Sequence, residues 1–262
     1  MALLIFAGSV FVLYLALPLL TLLIRAAEDG RVWELLLSRP VLQALWLSLT
    51  TSTIALAVVV LFGTPLAYAL ARIPFTGRSL VEALVDLPMV LPPTVAGVGL
   101  LTTFGSRGLL GEPLYDLTGV RLTFTTVAVI MAQILVAAPF YVRAARSGFA
   151  SVDPQLERVA YTLGVSRVET FWRVTLPLAR PGLIAGVVLC WTRALGELGA
   201  TLIFAGSLEG RTRTMPLAMI DALDRGTLGL SGAVAMAVIL LAVAGTVLFA
   251  LRMSGAGEAA GR

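Results

Sequence analysis

Residues 156–177 read LERVAYTLGVSRVETFWRVTLP and interrupt a chain whose neighbouring segments are long and almost uncharged. The punctuation of this stretch is helical. Asp153 followed by Pro154 supplies an N-cap and a proline at the first helical position, and Gly164 stands where a glycine ends a helix, so a first short helix is expected between them. Ser166 and Glu169 have the S-x-x-E spacing of a capping box, and Val168, Phe171, Trp172 and Val174 give a second helix an apolar face until Leu176 and Pro177 stop it. Two capped helices carrying aromatic and apolar residues fit a groove on another protein. They equally fit an interfacial pair lying on lipid headgroups, with Trp172 as the anchor.

Outward from this stretch the chain is dominated by hydrocarbon. Of 262 residues, 58% are hydrophobic and 13% charged, against roughly 25% charged in ordinary globular chains, which marks an integral membrane protein. Apolar segments at 5–24, 44–70, 84–104, 122–142, 183–204 and 231–251 are each long enough to cross a bilayer core of roughly 30 Å, so six spans are expected. Backbone groups inside lipid must be satisfied within their own segment, so the expected fold is all-α. The first segment lacks a basic n-region and an A-x-A-like cleavage site, and is read as a retained helix.

Arginine placement sets the expected orientation. Arg143, Arg146, Arg158, Arg167, Arg173 and Arg180 lie between the fourth and fifth spans, Arg72 and Arg78 follow the second, and Arg252 and Arg262 follow the sixth. The opposite loops mix their arginines with acids, so the positive-inside rule puts the 156–177 loop and both termini in the cytoplasm. The net charge of +4 is carried by arginines in loops, where orientation requires them, and nucleic-acid binding is not expected.

Absences narrow the chemistry. The chain has no His, no Lys and a single Cys, Cys190. An orthodox P-loop needs its lysine, so any ATP chemistry, with its Mg, is expected on a partner rather than here, and no cofactor is expected in this chain. Zinc sites normally draw on several His or Cys ligands, and Ser or Cys nucleophiles on a His or Lys base, so neither is expected in a chain with one Cys and no His or Lys. A membrane enzyme relying on carboxylates alone, Glu197 or Asp86, stays open.

Two apolar segments carry polar or helix-breaking residues. Pro88, Pro92 and Pro93 each remove a backbone donor, so a break is expected in the third span, and broken spans face protein or a wet cavity. Arg193 and Glu197 are spaced to pair on one helix face, and an isolated charge at the bilayer centre costs at least about 2.5–3.5 kcal/mol. The pair serves either a translocation pathway or helix packing. Thr94 and Thr201 place hydroxyl donors in these same segments. Gly97, Gly99, Gly196 and Gly199 allow close helix approach.

These motifs carry a resemblance. Residues 156–164, LERVAYTLG, with VTLP at 174–177, resemble the E-A-A…G…L-P loop of type I ABC importer permeases. Glu157, Ala160 and Gly164 match that pattern, whereas Arg158 and Val159 stand where an acid and an alanine are usual, which implies a more acidic groove on the partner near Arg158. DLPMVLPPTVAG at 86–97, RALGELGAT at 193–201 and GRTRTMPLA at 210–218 are similar to segments of the molybdate/tungstate branch. The resemblance implies six transmembrane helices with cytoplasmic coupling helices. It divides the chain into a first helix with its external loop (1–41), a type I transmembrane domain (42–251, coupling loop about 150–178) and a short cytoplasmic tail (252–262). It implies a homodimer in the inner membrane, a cytoplasmic ATPase dimer and an extracytoplasmic oxyanion-binding protein. Coupling is then expected at Glu157, Arg158, Ala160, Gly164, Phe171, Leu176 and Pro177, and a pathway or gate at Pro92, Pro93, Thr94, Arg193, Gly196, Glu197 and Thr201. A sulfate or thiosulfate permease is the near alternative. A self-contained secondary transporter or channel, with Glu197 as its carboxylate, is the more distant one.

Overall fold

The computed structural model describes residues 1–225 and 228–259, and these are helical or in connecting turns, with no strand among them. In chain order the helices are α1 (Ala2–Glu28), α2 (Gly30–Leu36), α3 (Arg39–Arg72), α4 (Arg78–Val90), α5 (Pro93–Phe104), α6 (Gly111–Thr118) and α7 (Thr126–Ala150), then α8 (Pro154–Thr162) and α9 (Arg167–Thr170). One π turn (Phe171–Thr175) leads into α10 (Leu176–Leu195), followed by α11 (Gly199–Ala205), α12 (Met215–Arg225) and α13 (Gly229–Ala259). Five helical stretches are long and apolar enough to span a bilayer, and the pair α4 and α5, bent by 115°, makes a sixth if counted as one.

The expected break in the third span is present. Leu91 leaves helical conformation, Pro92 caps α5 and Pro93 takes its first position, where a missing N–H costs nothing. Pro88, by contrast, is absorbed inside α4. Two other expectations are corrected. The fifth span is not one helix: α10 ends at Leu195 and α11 begins at Gly199, with Leu198 at φ −130° between them. Gly196 ends α10 at φ −86° and ψ 8°, a conformation open to any residue, so its being glycine is not what permits the break. Leu176 and Pro177 do not stop the second loop helix either. The segment from Arg167 to Leu195 runs on as one span, because the π turn shifts the ladder, with Leu176 N–H on the Phe171 carbonyl, just ahead of the donor that Pro177 lacks.

Residues 47–212 form one compact unit. Here α7 is the central post. Val59, Ala67 and Leu70 of α3, Ala137, Tyr141 and Phe149 of α7, and Ala179, Cys190 and Ala194 of α10 share one buried cluster. Contact between α7 and α10 is close because Gly148 and Gly182 face each other: a Cβ built on Gly182 would lie 2.5 Å from Gly148 Cα. A second cluster joins Ala96 and Leu100 of α5, Val129 and Ala132 of α7, and Ala200 and Phe204 of α11. Helix α4 is braced to α7 by ion pairs, Arg146 with Glu82 at 3.0 Å and Arg143 with Asp86 at 2.8 Å.

Residues 1–46 and 213–262 form the other unit. Val41 and Ala44 pack with Met215, Ala218 and Ala222 of α12 and Met236 of α13. Helix α1 joins through Ala26 near its C-terminal end, while Leu3, Phe6, Phe11 and Tyr14 stay exposed along its apolar length. Asp29 caps α2 and also accepts the Ser231 hydroxyl at 2.6 Å. Of the tail expected at 252–262, residues up to Ala259 belong to α13, and residues 260–262, including Arg262, lie outside the described residues.

Candidate functional site

The loop between α7 and α10 is built as its punctuation requires. Asp153 Oδ1 accepts the Gln155 N–H at 2.8 Å, and Pro154 opens α8. At the other end Gly164 has φ +82°, with Val165 N–H on the Ala160 carbonyl and Gly164 N–H on the Tyr161 carbonyl, a Schellman-type ending. Ser166 Oγ accepts the Glu169 N–H at 3.2 Å, while the Glu169 carboxylate turns to Arg173 at 3.1 Å, so only half of the capping box is made.

The two helices have distinct faces. Glu157 and Ala160 of α8, with Thr170 and Thr175, are buried. Thr175 donates its hydroxyl to Glu157 Oε1 at 2.7 Å, and Arg72 at the end of α3 sits 3.6 Å from the same oxygen while donating to the Val152 carbonyl. Phe171 points the same way, with its ring centroid 5.1 Å from that of Tyr68 and 6.1 Å from that of Phe149. Arg158 and Val159 on α8, Leu163 at its C-cap, and Arg167, Val168, Trp172 and Arg173 beyond it are exposed. Glu157, Ala160 and Phe171 therefore fasten the loop to the bundle, and the outward surface is made by their neighbours. Leu176 is half-buried and Pro177 exposed, both at the start of α10.

The second group of expected residues gathers at the two broken spans. Helices α5 and α11 follow their respective breaks and pack together. A Cβ on Gly199 would lie 2.8 Å from Pro93 Cβ, and one on Gly97 would lie 2.8 Å from Ile203 Cβ and 2.9 Å from Ala200 Cα. Gly99 and Gly196 make no such close approach. Arg193 Nη1 meets Glu197 Oε2 at 2.8 Å, so the expected pair forms, although Glu197 lies in the break and not on the helix of Arg193. Its other oxygen, Oε1, accepts the Ala200 N–H at 2.8 Å. One buried carboxylate thus joins the end of α10 to the beginning of α11. Pro92, Pro93 and Thr94 are exposed, whereas Thr201 is buried and its hydroxyl has no partner. Asp86, the alternative carboxylate, is held by Arg143 through both oxygens.

Sequence spacing had no means of finding Arg72 and Thr175, since Arg72 contacts Val152 across eighty residues and Thr175 contacts Glu157 across eighteen.

A multi-spanning helical bundle with two broken spans packed on each other, carrying a rigid capped loop at one end, is the architecture of a membrane transport permease. Residues 60–253 match the family model described as "Binding-protein-dependent transport system inner membrane component", and the chain belongs to that family. It is 40% identical over 210 residues to the molybdenum transport system permease protein ModB of Escherichia coli (strain K12), covering 80% of this chain and 91% of that protein. It is 42% identical over 243 residues to ModB of Mycobacterium tuberculosis (92% and 88% covered) and 40% identical over 199 residues to the molybdate/tungstate transport system permease protein WtpB of Pyrococcus abyssi (76% and 75%). Among solved structures, a bacterial ABC transporter involved in alginate import superposes with a TM-score of 0.75 at 20% identity, covering 97% of this chain and 93% of that one. The MetNI methionine transporter superposes with a TM-score of 0.61 at 17% identity, over 83% and 97%. At those identities the structural likeness concerns the fold alone. The chain is a multi-pass inner-membrane permease of an ABC transport system.

Proposed function

We propose that this permease conducts molybdate, or its near-isostere tungstate, inward, as a homodimer whose translocation pathway lies between two copies. A soluble extracytoplasmic protein delivers the anion, and a cytoplasmic ATPase dimer, which binds ATP and Mg, docks on the loop at residues 154–175. Both termini are cytoplasmic. The chain itself catalyses no reaction. The observation that carries the docking role is the division of labour in the loop: Glu157 and Phe171 anchor it inward while Val159 and Leu163 remain exposed on a helix capped at both ends. Such a loop moves as a body with α3 and α10, so displacement by a partner reaches the broken spans. The cargo assignment is supported by relatives of about equal identity that are named for molybdenum, molybdate and tungstate transport.

At the breaks, the Arg193–Glu197 pair and the α5–α11 contact form a hinge whose two halves are joined by side chains rather than by a continuous ladder. A hinge of this kind opens and closes a passage without melting helix. Reconstitution tests the whole reading: labelled molybdate uptake into proteoliposomes is expected only when the binding protein, the ATPase and ATP are all supplied, with tungstate competing and sulfate competing less. Uptake by the permease alone would reject it.

A further inference from the structure

Between α3 and α10, across the face of α7, runs a groove of about 1270 Å³. Most of its lining is apolar, with Val60 and Leu61 of α3 on one wall, Leu183, Ile184 and Val187 of α10 on the other, and the Tyr141 ring included. The loop end is different in character. Arg72 and Arg167 line it together with Tyr161 and Glu157. Glu157 is already engaged by Thr175 and Arg72, and among the described residues Arg167 has no ion-pair partner, so the mouth carries one surplus positive charge. Tyr68 of α3 lines the same groove as these four groups. From Leu61 to Arg72 the helix rises about 16 Å, close to half of a hydrocarbon core of roughly 30 Å. Trp172 borders the same mouth, in the amphipathic position that aromatic side chains take at a membrane boundary.

From this we infer that the groove is a binding site for one anionic phospholipid of the adjoining leaflet, its acyl chains along Val60, Leu61, Leu183 and Ile184 and its phosphodiester against Arg167 and Arg72. An apolar channel one leaflet deep with a single uncompensated guanidinium at its mouth complements a molecule that has two hydrocarbon tails and one negative charge. Occupancy would fix the spacing of α3 and α10 at the level of the loop, and so make coupling sensitive to the lipid. This inference does not depend on the transported anion, and lipid retention is read without ATP or cargo, so either reading can fail alone.

The test is native mass spectrometry of delipidated protein exchanged into equimolar phosphatidylglycerol and phosphatidylcholine. One phosphatidylglycerol per chain is expected, preferred about fivefold over phosphatidylcholine. Arg167→Gln is expected to abolish the preference and Arg167→Lys to restore it, which separates loss of charge from misfolding. Leu183→Trp, filling the groove, is expected to remove both lipids, and inorganic phosphate at matched concentration is expected not to compete. Retention unaffected by Arg167→Gln and Leu183→Trp would overturn the proposal. Displacement by inorganic phosphate would overturn it too, reducing the mouth to an anion site. So would a photo-crosslinker at Leu61 that captures a second copy of this chain in place of lipid.

Discussion

Glu157 and Thr175 are joined by a 2.7 Å hydrogen bond with Thr175 as the donor, and that bond decides which way the α8 helix faces. Because the same carboxylate oxygen also faces Arg72, a residue placed by motif on a partner-binding surface is turned into the bundle. The outward face of the loop is consequently apolar with exposed arginines, Arg158, Arg167 and Arg173, and Glu157 adds no acid to it.

Glu157→Ala is expected to leave Arg72 without its carboxylate in a nearly closed environment and to lower stability by about 1.5–3 kcal/mol, the range for hydrogen bonds to charged groups. Glu157→Gln keeps an acceptor for Thr175 and is expected to cost less. The ratio of ATP hydrolysed to anion moved, measured in proteoliposomes beside a thermal melt, should rise more for Ala than for Gln. Equal ratios for the two variants would refute a tie that depends on the Thr175 bond.

Gly164 is in the left-handed region, and a Cβ there would meet nothing within 4 Å. The cost of substitution is therefore conformational and not steric. Gly164→Val is expected to destabilise the loop by about 1–3 kcal/mol and to uncouple ATPase activity from uptake, whereas Gly164→Asn is expected to retain most coupling. If Asn and Val behave alike, the helix ending does not govern the loop.

Replacing Gly97 or Gly199 with Ala drives a methyl group to within 2.8 Å of Ile203 or Pro93 and is expected to cost about 1–3 kcal/mol through separation of α5 and α11. Gly99→Ala, on the same helix with open space, is expected to be neutral or slightly stabilising. Chemical denaturation in detergent distinguishes them, and similar losses at Gly97 and Gly99 would exclude the packing explanation.

Arg193→Leu strands a Glu197 carboxylate that is 1% exposed, and a loss of about 3–5 kcal/mol is expected. Adding Glu197→Gln should recover much of that stability, since Gln still accepts the Ala200 N–H. Restored stability with uptake still absent would assign the ion pair to transport, and recovery of both would assign it to packing.

What could be read along the chain was local. Asp153 and Pro154, Gly164, Ser166, and Pro92 with Pro93 each act on backbone within a few residues, so their helix ends followed from residue chemistry alone, as did the apolar spans from hydrocarbon length. The break after Leu195 escaped that logic: an apolar run containing Arg and Glu four residues apart reads as helix, and only the Glu197 side chain taking the Ala200 N–H shows where the ladder stops. Likewise Pro177 marks a helix end by pattern, yet a π turn carries the chain past it. Tertiary structure alone decided which glycines touch another helix, because Gly97 and Gly99 differ in partner and not in residue type. It also decided that Glu157 faces inward, since the groups that turn it, Arg72 and Thr175, come from other turns of the chain and have no signature in the spacing around it.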